Sequence, residues 1–190
     1  PDPKDATLWP RCQQYLPHAQ MCAELIKQWE IQAETASQLL NHIGAYFLEC
    51  GQYPQAERLL LHALSIREQT VEPDSIPVAE VLNNLALLYW LQGRYQQSES
   101  LFLRAISIQE QAEDGKPSDL AEMFNNLGML YNYEGKYTQA EPLLQRAIAI
   151  WKDVLKPDDP VIAYGLHNLA ALYDDLGKYA EAEELYKRSL

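Results

Sequence analysis

The sequence predicts an all-α protein, a right-handed solenoid of four helix pairs preceded by an N-terminal helical cap. Three observations predict it. Gly51, Gly93, Gly135 and Gly177 recur at 42-residue intervals. Tyr53, Tyr95, Tyr137 and Tyr179 follow each glycine by two positions. Between the glycines, apolar residues recur at helical spacing, and no stretch alternates with the period of two that a half-buried strand requires.

The elements follow in order. Residues 1–31 read as a leader, with one or two helices over 8–31 covering the open apolar end of the first repeat, because a free solenoid end needs such a cap. Residues 32–190 read as repeats over 32–73, 74–115, 116–157 and 158–190, the last truncated. Four segments align without a gap: LNHIGAYFLECGQY (40–53), LNNLALLYWLQGRY (82–95), FNNLGMLYNYEGKY (124–137) and LHNLAALYDDLGKY (166–179). In the second of them Leu82, Leu85, Ala86 and Tyr89 share one helical stripe, and Gly93 supplies a permissive C-terminus. A second block opens on Ala56, Ser98, Ala140 or Ala182, and in the first three repeats it runs to an Ile. Its small residues let two helix backbones approach closely. These patterns predict helices at 33–50 and 54–69, 78–92 and 96–112, 119–134 and 138–154, then 161–176 and 180–190. The segments TVEPDSIP, EDGKPSD and LKPDDP between them read as turns. The chain starts without Met and ends inside a helical pattern, which reads as an excised piece of something longer.

The pattern Leu-x-x-Leu-Ala-x-x-Tyr, Gly-x-Tyr, Ala-Glu resembles the tetratricopeptide repeat, whose usual unit is about 34 residues. Eight extra residues per unit lengthen the helices by about two turns in all. HEAT and armadillo repeats have similar periods of about 40–47, but the Gly-x-Tyr turn followed by small-residue-Glu favours the tetratricopeptide form. The longer unit, with Leu-Asn-Asn-Leu-Ala (82–86) and Lys-Pro-Asp-Asp-Pro (156–160), is similar to that of kinesin light chains. The leader LWPRCQQYLPHAQMCAELIKQW (8–29) is similar to the segment preceding such repeats in bacterial STAND (NB-ARC-type) nucleotidases. The resemblance implies a cytoplasmic sensor region whose engagement by a partner releases an attached nucleotidase.

Composition narrows the function class. Lys plus Arg is 15 against 27 Asp plus Glu, a formal charge of −12. Such a surface repels phosphate, so nucleic acid and anionic membrane are not expected partners. No apolar run approaches the roughly 18 residues of a membrane span. Cys12, Cys22 and Cys50 have no close C-x-x-C spacing and read as buried thiols in a reducing compartment. No phosphate-binding loop, dinucleotide fingerprint, H-E-x-x-H or G-x-S-x-G is present. His18, His42, His62 and His167 fall on different helices, and Asp158-Asp159 and Asp174-Asp175 are explained by a turn and a solvated helix end. No catalytic residue, metal ligand or cofactor is expected, and the chain is read as no enzyme.

The candidate site lies on the first helix of each repeat. At about 100° per residue, positions 80, 83, 84, 87, 90 and 91 point away from the packing stripe, towards the expected concave side. One column there holds Asn41, Asn83, Asn125 and His167; the next holds His42, Asn84, Asn126 and Asn168. An asparagine amide offers an acceptor and two donors, which match the backbone of an extended peptide whatever its sequence. Asparagine in the Asn84 column is also common in such repeats and can instead bond a neighbouring helix; both readings stay open at this point. Leu87, Trp90, Leu91, Met129 and Tyr133 project the same way, as an apolar binding surface or as packing against a neighbour. Glu80, Glu122, Asp174 and Asp175 at the edge favour a ligand carrying Lys or Arg. The predicted groove is therefore Asn41, Asn83, Asn84, Leu87, Trp90, Leu91, Asn125, Asn126, Met129, Tyr133, His167 and Asn168, and the expected partner a protein or peptide segment. Two rival readings are a self-associating scaffold, with the open last helix forming a homodimer, and an autoinhibitory arm with no external ligand.

Overall fold

A computed structural model describes residues 9–31, 33–70 and 74–189, with side chains described from Leu16 onward. The side chain of Cys12, the first leader residues, the 31/32 boundary, the middle of the 70–77 turn and the end at Leu190 lie outside what is described. Nine helices and no strand occur among those described: α1 (Trp9–Gln28), α2 (Glu34–Glu49), α3 (Tyr53–Thr70), α4 (Ile76–Leu91), α5 (Tyr95–Gln111), α6 (Pro117–Tyr133), α7 (Tyr137–Val154), α8 (Pro160–Asp175) and α9 (Tyr179–Arg188). The protein is all-α, and its helix ends fall close to those expected. The second helices α3, α5, α7 and α9 each begin one residue early, and the first helices α4, α6 and α8 begin one or two residues early. Of these, α4, α6 and α8 have a proline in the first turn, where a fixed φ and a missing N–H suit the helix start.

The chain divides into two compact units, Pro1–Leu101 and Phe102–Leu190. In the first, α1 packs on α2, α2 pairs with α3, and α3 carries α4. Its core joins Ala23 and Ile26 of α1 to Leu40, Ile43 and Phe47 of α2, Leu60 and Ile66 of α3, and Leu85 and Tyr89 of α4. In the second, α6 pairs with α7, α8 with α9, and α7 packs on α8. Leu127, Leu130, Leu144 and Leu172 are fully buried there.

Small residues allow close approach within the α2–α3 pair and between α7 and α8. A Cβ on Gly44 would stand 2.7 Å from Leu60 Cγ, and one on Gly165 2.7 Å from Trp151 Cζ3. Ser98, fully buried, donates its hydroxyl to the Ala86 carbonyl at 2.7 Å, so this serine satisfies itself where alanine stands in the other repeats. The four turn glycines have φ between 71° and 76°, a left-handed conformation that closes a helix without a Cβ penalty.

Candidate functional site

The two asparagine columns do not stand open. Asn41, Asn83, Asn84, Asn125, Asn126 and Asn168 are all buried, none more than 9% exposed. In the first unit Asn84 Nδ2 donates to Asn41 Oδ1 at 3.0 Å. In the second Asn168 Nδ2 donates to Asn125 Oδ1 at 2.9 Å. Each bond joins the second column of one repeat to the first column of the repeat before it. The expectation of solvent-facing amides is corrected at all six residues, and at Asn41, Asn84, Asn125 and Asn168 the carboxamides tie neighbouring first helices together. The reason is geometric, since a first helix packs against its own second helix and also against the preceding repeat. That second contact takes the sector opposite the first stripe.

The other predicted residues are accessible. Leu91 is 53% and Tyr133 66% exposed; Leu87, Trp90 and Met129 are half-buried, and His167 is exposed. His167 stands where the other repeats bury asparagine, and its ring lies 5.2 Å from that of Tyr186. Glu80, Asp174 and Asp175 are exposed and Glu122 is half-buried. The first helices α2, α4, α6 and α8 carry no lysine or arginine. The apolar residues thus lie on the C-terminal halves of α4 in the first unit and α6 in the second, with Glu80 and Glu122 near the N-terminal ends of the same helices and no cation on either.

Sequence reasoning missed a second recurring device. Arg94, in the turn after α4, donates to Glu57 Oε1 of α3 at 2.7 Å and lies 3.6 Å over the Tyr89 ring. In the second unit Tyr173 donates to Glu141 Oε1 at 2.8 Å, while Lys178 lies 4.8 Å over the Tyr173 ring and 3.8 Å from Glu141. Burial pushes the Glu57 carboxyl up, but hydrogen bonds from Arg94 and Gln92 outweigh it and hold the group below the usual carboxylate range. Burial, then the Glu141 hydrogen bond, pushes the Tyr173 hydroxyl up. The signal was present in the sequence: Tyr, Gly-[Arg/Lys] and the Glu after the small residue recur in register. Read only as turn and packing marks, they gave no hint of meeting.

The remaining side chains settle simply. Cys22 and Cys50 are exposed, not buried as expected, because they fall on the outer side of α1 and at the end of α2. His62 is held below its usual pKa by burial and then by the charge of Lys27. Asp159 caps α8, accepting from Val161 N at 3.0 Å. No group of three or more His, Cys, Asp or Glu able to hold a metal ion occurs among the described residues. None of their helices is long and apolar enough to cross a membrane.

The family profile of the tetratricopeptide repeat matches residues 35–111 and 119–190. The chain belongs to the tetratricopeptide-repeat family. Solved structures agree on this tetratricopeptide-repeat fold. BtubC (BKLC) from P. vanneervenii superposes with a TM-score of 0.77 at 21% identity, over 93% of this chain and 71% of that one. A putative kinesin light chain from Podosopora anserina, built of nearly identical TPR-like repeats, gives 0.70 at 23% identity, over 96% and 90%. A Rap protein complexed with competence and sporulation factor gives 0.77 at 16% identity, over 94% of this chain and 49% of that one. No curated protein matches the chain in sequence.

Proposed function

We propose that this tetratricopeptide-repeat chain is a protein-recognition module that takes a partner segment against the exposed faces of its first helices. One observation carries the reading: large apolar side chains, Leu91 in one unit and Tyr133 in the other, remain more than half exposed on helices otherwise committed to packing. Leu87, Trp90 and Met129 beside them supply further apolar area. Isolated exposed apolar residues are ordinary, but within each unit these lie at helical spacing on one first helix, the contiguous arrangement that marks a binding surface. The buried amides act here by holding the first helices in register, and the acidic edge favours a partner with lysine or arginine. The module is built of the repeats 32–73, 74–115, 116–157 and 158–190 behind a leader at 1–31. The likeness of its repeats and leader to STAND proteins supports a role as the sensor part of a larger signalling protein. The structure of a Rap protein with a bound factor supports partner capture by this fold.

A random-peptide phage library panned against the immobilised chain tests the reading. Enrichment of peptides with a large apolar residue, lost on a Leu91→Asp, Tyr133→Asp variant of unchanged helicity, is the expected result. Peptides that bind the variant equally well would refute it, as would failure to enrich any.

A second reading, self-association, has its own observation. Asn41, Asn83 and Asn125 are buried where His167 is exposed, and Leu60, Phe102 and Leu144 are fully buried where Tyr186 is half-buried. A face of the fourth repeat is therefore open to a second copy. Sedimentation across a range of concentrations decides it, since a strictly monomeric species removes the reading.

A further inference from the structure

The contacts of Arg94 and Lys178 have a counterpart in the first repeat from which one member is missing. Arg94 lies 3.6 Å over the Tyr89 ring, donates to Glu57 Oε1 of the preceding second helix at 2.7 Å, and donates through Nε to Gln97 Oε1 at 2.6 Å. A ring, a carboxylate from the helix before and a glutamine thus surround one guanidinium. In the second unit Lys178 takes the same place over Tyr173 beside Glu141. One 42-residue repeat before Tyr89, Arg94 and Gln97 stand Phe47, Gln52 and Gln55. The ring and the glutamine are there; the cation is not. The carboxylate comes from α1, packed on α2, as Glu24.

The place is open. Glu24, Phe47 and Gln55 line one cleft of about 130 Å³ between α1, α2 and α3. Ala23, Ile43 and Leu59 complete its apolar wall, and each of them, like Phe47, is no more than 6% exposed. No cation lies over the Phe47 ring among the described residues. Such a wall suits the methylene stem of an arginine, and the ring and the carboxylate suit its head. Arg58, on the rim, pairs with Glu24 at 3.3 Å, and both side chains are 60% exposed. A pair so open to water is weak, and it takes one of about four acceptor positions of the carboxylate. Glu24 is therefore able to receive a second guanidinium, and the formal charge of −12 draws cations to the chain.

We propose that the cleft between α1 and the first repeat is a subsite for an arginine side chain of a partner protein, seated on Phe47 between Glu24 and Gln55 as Arg94 is seated on Tyr89 between Glu57 and Gln97. It draws on none of the residues of the first-helix face, so the two stand or fall separately. The test titrates N-acetylargininamide into the full chain and follows the amide resonances, with N-acetylcitrullinamide, which has nearly the same shape without the charge, as control. Shifts concentrated at residues 20–24, 43–47 and 55–59, with the arginine amide only, are expected. Glu24→Gln should weaken binding by about fivefold or more, whereas Glu68→Gln, which removes the same charge further along α3, should change it by less than about twofold. Gln52→Arg supplies the missing cation from within and should abolish the shifts. All three positions are exposed, so the variants keep the fold. Unchanged binding by Gln52→Arg would overturn the subsite, because the cleft would then not be the counterpart of the Arg94 site. So would equal weakening by Glu24→Gln and Glu68→Gln, equal shifts with the citrulline amide, or no shifts with either amide.

Discussion

An amide removed from water loses its solvent partners at both ends, and at Asn125 one of the two is replaced by a neighbouring repeat. Its Oδ1 accepts from Asn168, while its Nδ2 is buried without a partner among the described residues. Asn168→Ala would leave neither end bonded, so a loss of about 1–3 kcal/mol is expected. Replacing both residues by leucine removes the polar demand along with the bond, so the double variant should be more stable than the single one. Urea denaturation of the set decides: if Asn125→Leu, Asn168→Leu is the least stable, the amide pair is not the source of the effect. The helical wheel placed these asparagines on the correct side of the helix and still misjudged their exposure. A wheel sees one helix and its own stripe, whereas the partner of Asn168 lies 43 residues away. Gly165 poses a different constraint on the same helix. The ring that a Cβ would strike belongs to Trp151, itself 2% exposed, with its indole N–H donating to the Ser118 carbonyl at 3.3 Å. Gly165→Ala therefore displaces a rigid, tethered group, and a loss of about 1–3 kcal/mol is expected in thermal unfolding.

At the scale of elements, the helix pairs were legible because their punctuation is local. A glycine at positive φ ends a helix wherever it stands, and Gly135 with φ 73° has no neighbour that a Cβ would meet within 4 Å. Gly135→Ala should thus cost about 1–2 kcal/mol from the backbone alone, and Gly135→Asn less; equal losses would place the cause in packing instead. The contact of α3 with the turn after α4 was not legible, because it joins residues 37 apart through side chains. Its charge state makes a pH prediction. The folded state holds Glu57 below its ordinary pKa, so it binds fewer protons than the unfolded chain between the two values. The stabilisation is complete above the unfolded pKa near 4.5 and is lost as pH falls through the lowered folded value. His62, also lowered from 6.5, acts in the same direction at higher pH: its contribution is complete above 6.5 and declines as pH falls below that. Glu57→Gln should flatten the lower acid limb of the stability curve and leave the limb near pH 6 intact. A variant whose acid limb is unchanged would show that the Arg94 contact contributes nothing to folding.

Across the whole chain, charge is both excessive and sorted. The 15 basic residues face 27 acidic ones, yet none of the 15 lies on α2, α4, α6 or α8. The total was legible from composition; the sorting emerges only once helices are assigned, because each basic residue sits within a few positions of an acidic one along the chain. The two facts predict opposite responses to salt. Raising ionic strength from about 0.01 M to 0.1 M shortens the screening length from about 30 Å to 10 Å. Repulsion among like charges then weakens throughout the protein, which favours the folded state. The same screening weakens ion pairs such as Arg58–Glu24 and Lys187–Glu183, but their side chains are 60% or more exposed, and exposed pairs contribute little to stability. With an excess of 12 negative charges, repulsion should win, and the melting temperature should rise by about 2–4 °C for each kcal/mol gained. Capture of a partner segment carrying lysine or arginine should weaken over the same range, because its attraction depends on the acids of the first helices. A melting temperature that falls with added salt would mean that the exposed pairs outweigh the net repulsion. A basic partner segment whose affinity ignores salt would mean that it is held by apolar contact, and the acidic edge of the first helices would then have no part in choosing the partner.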